Sequence, residues 1–398
     1  MLRVGIKDQH VDRSYFTHIE KVDLSGQVKT LEVDYASQEE YDAVVSKQQG
    51  LCHDALWENL ETVAPWRVTV IRPKGQNFQD LIYSYHHSLM DGTSGKLFHE
   101  RLIVRVNEVK GDGLQNPVLE FPEPPAVPDP MEARVPFEIS KWYLTKMLWN
   151  EFGPSFLKQK PQQAWSSSLV DFKLPYVTRV RAIDINAKTL KAVLAACRQH
   201  STTFTGLLHA LVLASLAKRV DSTLLSCLTP ISLRPFATAP PEKLTVCLTQ
   251  FPIIFPEDMT KTLNETQSDE DIWKAATYAR NKLSERIKDI PKDDIMGLLK
   301  FVSDWQEWFK KKDGKPRDSS WEVSNIGVVD GGEGDVRLTR AMFTNGATVA
   351  GAGVSFNVAS VNGEGLTIGV VWQEGGFDEG MVDGVAGELE EWFGRFNV

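Results

Sequence analysis

His86-His87-Ser88-Leu89-Met90-Asp91-Gly92 decides how this chain is read. Upstream of it, Trp66-Arg67-Val68-Thr69-Val70-Ile71 alternates as a half-buried strand does, and Pro73 to Asn77 reads as a turn. A second strand runs from Asp80 to His86 at hairpin distance. Alternation puts Leu81, Tyr83, Tyr85 and His87 on one face, so the sheet fixes the backbone of a histidine delivered at the strand's end. Gly92-Thr93-Ser94-Gly95 then opens a helix. Neutral imidazole is the side chain best matched to taking a proton from an alcohol, amine or thiol near neutral pH, provided a partner on its other ring nitrogen sets the tautomer. Asp91 can fold away from the cleft and pin the turn by pairing with an arginine. Gly92 removes steric obstruction and leaves a backbone amide free to face an oxyanion. The plain alternative is an ordinary turn with capping histidines. A bare HxxxD is weak evidence, but it occurs once here and in the longer form HHxxxDG.

Around that segment lie 398 residues, a length for two or three domains rather than one core. The net charge of −9, from 53 acidic and 44 basic side chains, argues against a nucleic acid or an anionic membrane as partner. No apolar run approaches the roughly 20 residues that span a bilayer, and the start Met1 to Asp8 lacks the apolar stretch of a secretion signal. Cys52, Cys197, Cys227 and Cys247 lack CxxC spacing, so neither a zinc site nor a disulfide framework is suggested. The expectation is a soluble cytoplasmic protein with no bound metal. Eleven tryptophans and 19 phenylalanines are a large supply of rigid apolar surface.

Strand and helix patterns are mixed from end to end, without an internal repeat. Residues 117 to 136 carry seven of the 20 prolines and read as a stiff surface connection. Ile139 to Phe156 spaces Trp142, Tyr143, Met147, Leu148, Trp149 and Phe152 as a helix that covers the N-terminal domain. The stretch from Lys158 to Leu174 reads as a linker, which divides the chain into domains 1–165 and 166–398. Beyond it we expect a strand from Thr178 to Ile185, helices at Ala187–Gln199 and Thr205–Arg219, and a buried strand Cys227 to Ile231. A long helix from Asp269 to Ile287 and another ending near Lys312 follow, then strands Glu322–Val329, Ala347–Ser360 and Leu366–Trp372, and a helix Val382–Phe396. Gly331-Gly332-Glu333-Gly334-Asp335 is acidic and lacks lysine, so it reads as a hairpin turn and not a phosphate cradle. The fold class is α/β (α+β) in two blocks.

HHxxxDG and the strand pair before it resemble the chloramphenicol-acetyltransferase-like superfamily, which includes condensation domains and the fungal alcohol acetyltransferases. The fungal group is the nearest in pattern. Pro65-Trp66-Arg67, Ile231-Ser232-Leu233-Arg234-Pro235, Val323-Ser324-Asn325-Ile326-Gly327 and the hairpin at Val361-Asn362-Gly363 extend the match from about residue 60 onward. The resemblance implies two similar domains, each a mixed sheet with flanking helices, and a tunnel between them with His87 midway. It implies that His87 is the general base on an acceptor OH or NH, which attacks an acyl thioester, and that Arg234 pairs with a structural Asp91. Ser324 and Asn325 then donate to the oxyanion or the pantetheine, or simply satisfy the turn at a strand end. His86 and Tyr85 are candidates for structural or substrate-binding roles. Relatives begin with a further strand and helix ahead of the segment matched by Leu2–Val28, which implies a reshaped or more open acceptor pocket here. The plant enzymes' DFGWG motif has no counterpart.

The implied function is acyl transfer from acyl-CoA, a co-substrate rather than a tightly bound cofactor, to a hydrophobic small molecule. The partners are that acceptor and acyl-CoA, and a monomer is the simplest assembly. Lys310-Lys311-Lys312-Asp313-Gly314-Lys315-Pro316-Arg317, the one basic cluster, is a candidate for holding the coenzyme A phosphates and equally an ordinary solvated run. His209, inside an apolar helix, reads as a buried hydrogen-bonded residue. Two other readings keep the fold. In one, the pocket cyclises, condenses or isomerises a natural-product intermediate without coenzyme A. In the other, the protein binds a carrier or metabolite without catalysis.

Overall fold

A computed structural model describes residues 1–9, 11, 14–109, 116–154, 156, 163–238 and 243–396. The first half contains strands β1 (Val4–Lys7), β2 (Tyr15–His18) and β3 (Lys21–Asp23), the turn-long helix α1 (Leu24–Gln27), β4 (Val28–Val33), helix α2 (Gln38–Asp54), β5 (Trp66–Pro73) and β6 (Asp80–Tyr85). Helix α3 (Gly92–Glu108), β7 (Val118–Glu120), α4 (Met131–Arg134) and α5 (Lys141–Phe152) follow. β4 runs parallel to β5, and β5 pairs antiparallel with β6, with Trp66 opposite Tyr85. One face of this small sheet (Trp66, Val68, Val70, Tyr83) packs on Val4, Ile19 and Val22, while Ile71 on the other face meets Tyr41 and Val45 of α2.

The second half is built on a larger sheet. Its elements are β8 (Thr178–Ile185), α6 (Ala187–Gln199), α7 (Phe204–Ala217), β9 (Ser226–Ser232), β10 (Leu248–Ile254), α8 (Glu257–Thr266), α9 (Asp269–Asp289), α10 (Trp305–Lys310), β11 (Trp321–Val329), β12 (Val354–Val361), β13 (Leu366–Gln373) and α11 (Glu379–Gly394). Six strands pair in the order β10-β9-β11-β12-β13-β8. Helix α7 explains the sheet's stability: Gly206 to Ala217 are all buried, against α9 and α11 on one side and Trp321, Val323 and Phe356 of the sheet on the other. Burying its five leucines and Val212 contributes roughly 1.5–3 kcal/mol each. His209, in the middle of α7, is made tolerable there by two partners. It accepts from Trp321 Nε1 at 3.0 Å through Nδ1 and contacts Thr229 Oγ1 at 2.8 Å through Nε2. Among the described residues no helix is long and apolar enough to cross a membrane.

Several expectations need correction. β11 and β12 are parallel neighbours, which a tight hairpin cannot join, so Gly331–Asp335 opens a long crossover, 330 to 353, instead of turning a hairpin. The strand expected from Ala347 starts only at Val354, because Arg317 Nη1 binds the carbonyls of Thr348, Val349 and Gly351 and holds that stretch off the sheet. The single helix expected before Lys312 is two pieces, a 3-10 turn at Ile295–Phe301 and α10, which Asp304 caps through its side chain. The proline-rich stretch is partly internal, since Met131 and Val135 are buried. Helix α5 covers no core: it has no buried residue, and Trp142 and Phe152 are 78% and 79% exposed. Residues 158–162 of the expected linker lie outside the described ones. Trp165, just beyond, packs on the second core.

Candidate active site

The turn after β6 is anchored from beneath. His86 N donates to Pro65 O at 2.9 Å, Leu89 N closes the turn onto His86 O at 3.0 Å, and Leu89 and Met90 are fully buried. With its two flanks pinned, the turn presents His87 and Ser88 outward, and both are exposed. His87 faces a cavity of about 1490 Å³ bounded by β6, α2, the start of α3 and the crossover segment 335–346. No described residue hydrogen-bonds its ring, so the tautomer-setting partner expected from sequence is not among the protein groups described.

Asp91 points the opposite way. It is 2% exposed, and five donors converge on it: Ser94 N (2.9 Å), Ser94 Oγ (3.0 Å), Cys247 N (3.0 Å), Arg234 Nη1 (2.6 Å) and Arg234 Nη2 (2.9 Å). A carboxylate so satisfied caps α3 and has no lone pair turned toward the cavity. Arg234 is itself buried and binds Ser94 Oγ and the Thr245 carbonyl as well, both at 3.0 Å. The pair therefore bolts the His87 turn to the β9–β10 edge of the large sheet.

Gly92 follows as the first residue of α3, where a helix leaves its amides without internal partners. A Cβ here would lie 2.7 Å from Ile326 Cγ2 and 2.8 Å from Phe343 Cζ, so only glycine lets β11 and the crossover close on the site. Tyr85 lines the cavity, and its hydroxyl donates to Asp91 O at 2.8 Å, while burial pushes its pKa up. His86 Nδ1 lies 2.8 Å from Ser88 Oγ, its ring meets Trp57 edge-on, and burial followed by the neighbouring His87 lowers its pKa. Both residues thus serve the turn as well as the wall.

Ser324 and Asn325 stand apart from the cavity. Ser324 is buried on the sheet face whose outer member, Ile326, does reach it. Asn325 shares the opposite face with Trp321 and Val323. Its Nδ2 donates to Thr205 Oγ1 at 3.1 Å, and its Oδ1 accepts from Gly327 N at 2.8 Å. That is the turn-satisfying arrangement. In the basic cluster, Arg317 is 4% exposed and spent on loop carbonyls, Lys310 pairs with Glu307 and Lys312 with Asp318.

The structure also brings in residues that sequence reasoning passed over. His53 on α2 shares a 2.9 Å hydrogen bond with Thr344 of the crossover, and burial pushes its pKa down to about 4. Trp57, Phe343 and His99 complete the wall. For His99 a signal existed, because Gly92, Gly95, Lys96 and His99 fall on one helical face. Deeper on the sheet, burial pushes the Glu322 carboxyl up to about 7.

This geometry has known counterparts. A sequence profile described as alcohol acetyltransferase matches residues 14–379. The probable alcohol acetyltransferase FCK4 of Fusarium pseudograminearum is 29% identical over an alignment of 426 positions that covers 98% of this chain and 82% of that protein. Among solved structures, the TRI3 trichothecene 15-O-acetyltransferase of Fusarium sporotrichioides superposes with a TM-score of 0.68 at 10% identity, over 99% of this chain and 83% of that one. The epimerization domain of tyrocidine synthetase B gives 0.57 at 12% identity, over 99% and 84%. These two likenesses speak for the fold, a chloramphenicol-acetyltransferase-like pair of sheet-and-helix units. The profile spans more than nine-tenths of the chain, the histidine turn included, and with it the chain belongs to the alcohol acetyltransferase family and is an acyltransferase.

Proposed function

We propose that the protein transfers an acyl group from acyl-CoA to a hydroxyl or amine of a hydrophobic small molecule, with His87 as the general base. The observation that carries this reading is the division of labour in one turn: His87 opens onto the cavity while Asp91, four residues on, is buried and spent on Arg234.

His87 takes the acceptor's proton as the acceptor oxygen or nitrogen bonds to the thioester carbonyl carbon. The carbonyl π pair moves onto oxygen, and the resulting oxyanion is stabilised near the start of α3, where the Gly92 amide and the helix dipole lie. Collapse re-forms the carbonyl and breaks the carbon–sulfur bond. The departing thiolate takes the proton from imidazolium, and the products are the ester or amide and free coenzyme A. Asp91 takes no proton; it positions His87 through the backbone.

A general base is worth roughly 100- to 10,000-fold, so His87→Ala should lose that much kcat while keeping the wild-type melting temperature. The assay is release of free thiol from acetyl-CoA in the presence of a panel of alcohols. A folded His87→Ala variant with wild-type turnover would sink the mechanism. Thermal stabilisation by acetyl-CoA separates this reading from a coenzyme-free cyclase or a binding protein on the same fold.

A further inference from the structure

Among the histidines that line the chamber beside His87, His99 is one that the reaction above does not use. Gly92, Gly95, Lys96 and His99 recur at helical spacing along α3, and all four line the cavity. The two glycines let Ile326, Phe343 and Tyr85 pack closely against the helix. His99 stands beyond them, about 10 Å along the helix axis from Gly92. Its ring is held in place: Tyr83 and Phe98 stack at 3.6 Å, and His99 meets both edge-on, at 6.3 and 5.6 Å. Neither ring nitrogen has a hydrogen-bond partner among the described residues, and neither is sealed from the chamber. The surrounding packing pushes its pKa down to about 4, so near pH 7 the ring is neutral, with one donor and one acceptor.

The charges around the chamber say which substrate meets it. Lys74 pairs with Asp34 at 2.6 Å, Arg340 with Asp184 at 2.8 Å, Lys96 with Glu100 at 3.7 Å and Arg337 with Glu364 at 4.0 Å, Arg72 donates to Gln79 Oε1, and Glu32, Asp80 and Asp335 line the wall as well, so five cations stand against seven carboxylates. No surplus of positive charge is left to draw in the phosphates of coenzyme A. The occupant this wall suits is the uncharged acceptor.

We propose that His99 hydrogen-bonds a second oxygen of the acceptor, and so selects neutral, apolar-bodied alcohols that carry a second oxygen remote from the hydroxyl that is acylated. The proposal rests on the acyl-transfer reading. It is tested with acetyl-CoA and a series of α,ω-diols from 1,4-butanediol to 1,12-dodecanediol, each beside the n-alkanol of the same length, with thiol release as the readout. The wild type should favour a diol of intermediate length over its alkanol. His99→Leu should raise KM for that diol about 3- to 10-fold, the worth of a neutral hydrogen bond, with KM for acetyl-CoA unchanged. His99→Gln, which keeps a donor and an acceptor, should stay near wild type. A wild type without a diol preference, a His99→Leu variant shifted in KM for acetyl-CoA instead, or a folded His99→Gln variant as impaired as His99→Leu would each overturn the assignment. If His99→Leu fails to fold, the wild-type diol-to-alkanol ratio and the His99→Gln variant decide. Thiol release without length preference refutes the His99 assignment alone. Absence of thiol release with every alcohol refutes the acyl-CoA reading, and the proposal with it.

Discussion

Arg234→Ala should destabilise the protein before it says anything about chemistry. Asp91 is 2% exposed, and Arg234 supplies two of its five donors and its ion-pair partner. Removing the guanidinium strands a buried carboxylate, a change that costs about 3–5 kcal/mol, against about 1 kcal/mol for an exposed pair. At roughly 2–4 °C per kcal/mol for a chain of a few hundred residues, the melting temperature should fall by about 6–20 °C. Arg234→Lys keeps the charge but not the planar fork that reaches Oδ1, Oδ2, Ser94 Oγ and the Thr245 carbonyl together, so it should recover less than half of the loss. The double variant Asp91→Asn, Arg234→Met removes both charges and should be more stable than Arg234→Ala alone. Circular dichroism melts at pH 7 for the four proteins, with thiol release measured on each, give the comparison. A folded Arg234→Ala protein within about 1 kcal/mol of wild-type stability but without activity would refute the reasoning, because the pair would then act on the reaction and not on the turn.

Three further outcomes are expected. Gly92→Ala should lose about 1–3 kcal/mol of stability from overpacking and at least tenfold in kcat, since its Cβ would meet Ile326 and Phe343 inside 3 Å; adding Ile326→Ala should restore part of both, and failure to do so would mean that Gly92 matters for another reason. Glu322→Gln should match wild type in stability near pH 4.5 and exceed it increasingly toward pH 7 and above, by an amount on the order of 2–3 kcal/mol, because the wild-type carboxyl, raised to about 7 by burial, holds its proton in the fold and loses it in the unfolded chain; urea midpoints that stay parallel across that range would contradict this. His53 and His209, lowered to about 4 and about 3 by burial, stay neutral in the fold while the unfolded chain protonates near 6.5, so stability should fall as pH drops from about 6.5 toward 4, and a flat acid limb in urea titrations would exclude it.

What was legible in the sequence was whatever one window of the chain could hold. The histidine turn is such a case: strand end, turn and helix start are contiguous, so residues 80 to 95 announce both their structure and the direction of His87. Asp91 could be expected from its own window to need an arginine, but Arg234 could be named only through the family resemblance, because the contact spans 143 positions of sequence. The crossover was misread for the opposite reason. Gly331 to Asp335 has the composition of a hairpin turn, and only the parallel pairing of β11 with β12, which no local pattern reports, makes it the start of a strap over the site. Helix α5 shows the limit of periodicity. An aromatic stripe at helical spacing says that a helix has an apolar face, and says nothing of whether the fold supplies a surface to cover it. Ser324 and Asn325 turned on strand parity. Asn325 alternates with Trp321 and Val323, whose face is the large core, so it is directed to Thr205 and away from the cavity.

One helix start performs both halves of what this site requires. On its inner side, Asp91 and Ser94 meet Arg234, Thr245 and Cys247 of the large sheet's edge. On its outer side, Gly92, Gly95, Lys96 and His99 face the chamber. Because a helix turns 100° per residue, these two sets interleave along the same two turns of chain without sharing a side chain. The consequence is mechanical as well as geometric. Any movement between the two sheets that would open the chamber must pull on a buried charge pair with the cost worked out above, so that pair helps hold the His87 turn against the Ile326–Phe343 wall. A base held this way can lack a hydrogen-bond partner of its own and still be in register with its substrate, since its position comes from Leu89, Met90 and Asp91 and not from its ring. It follows that variants which loosen the Asp91 network should lower kcat more than they raise KM, whereas variants of the chamber's far wall should do the reverse, and that split is what distinguishes a positioning residue from one that binds.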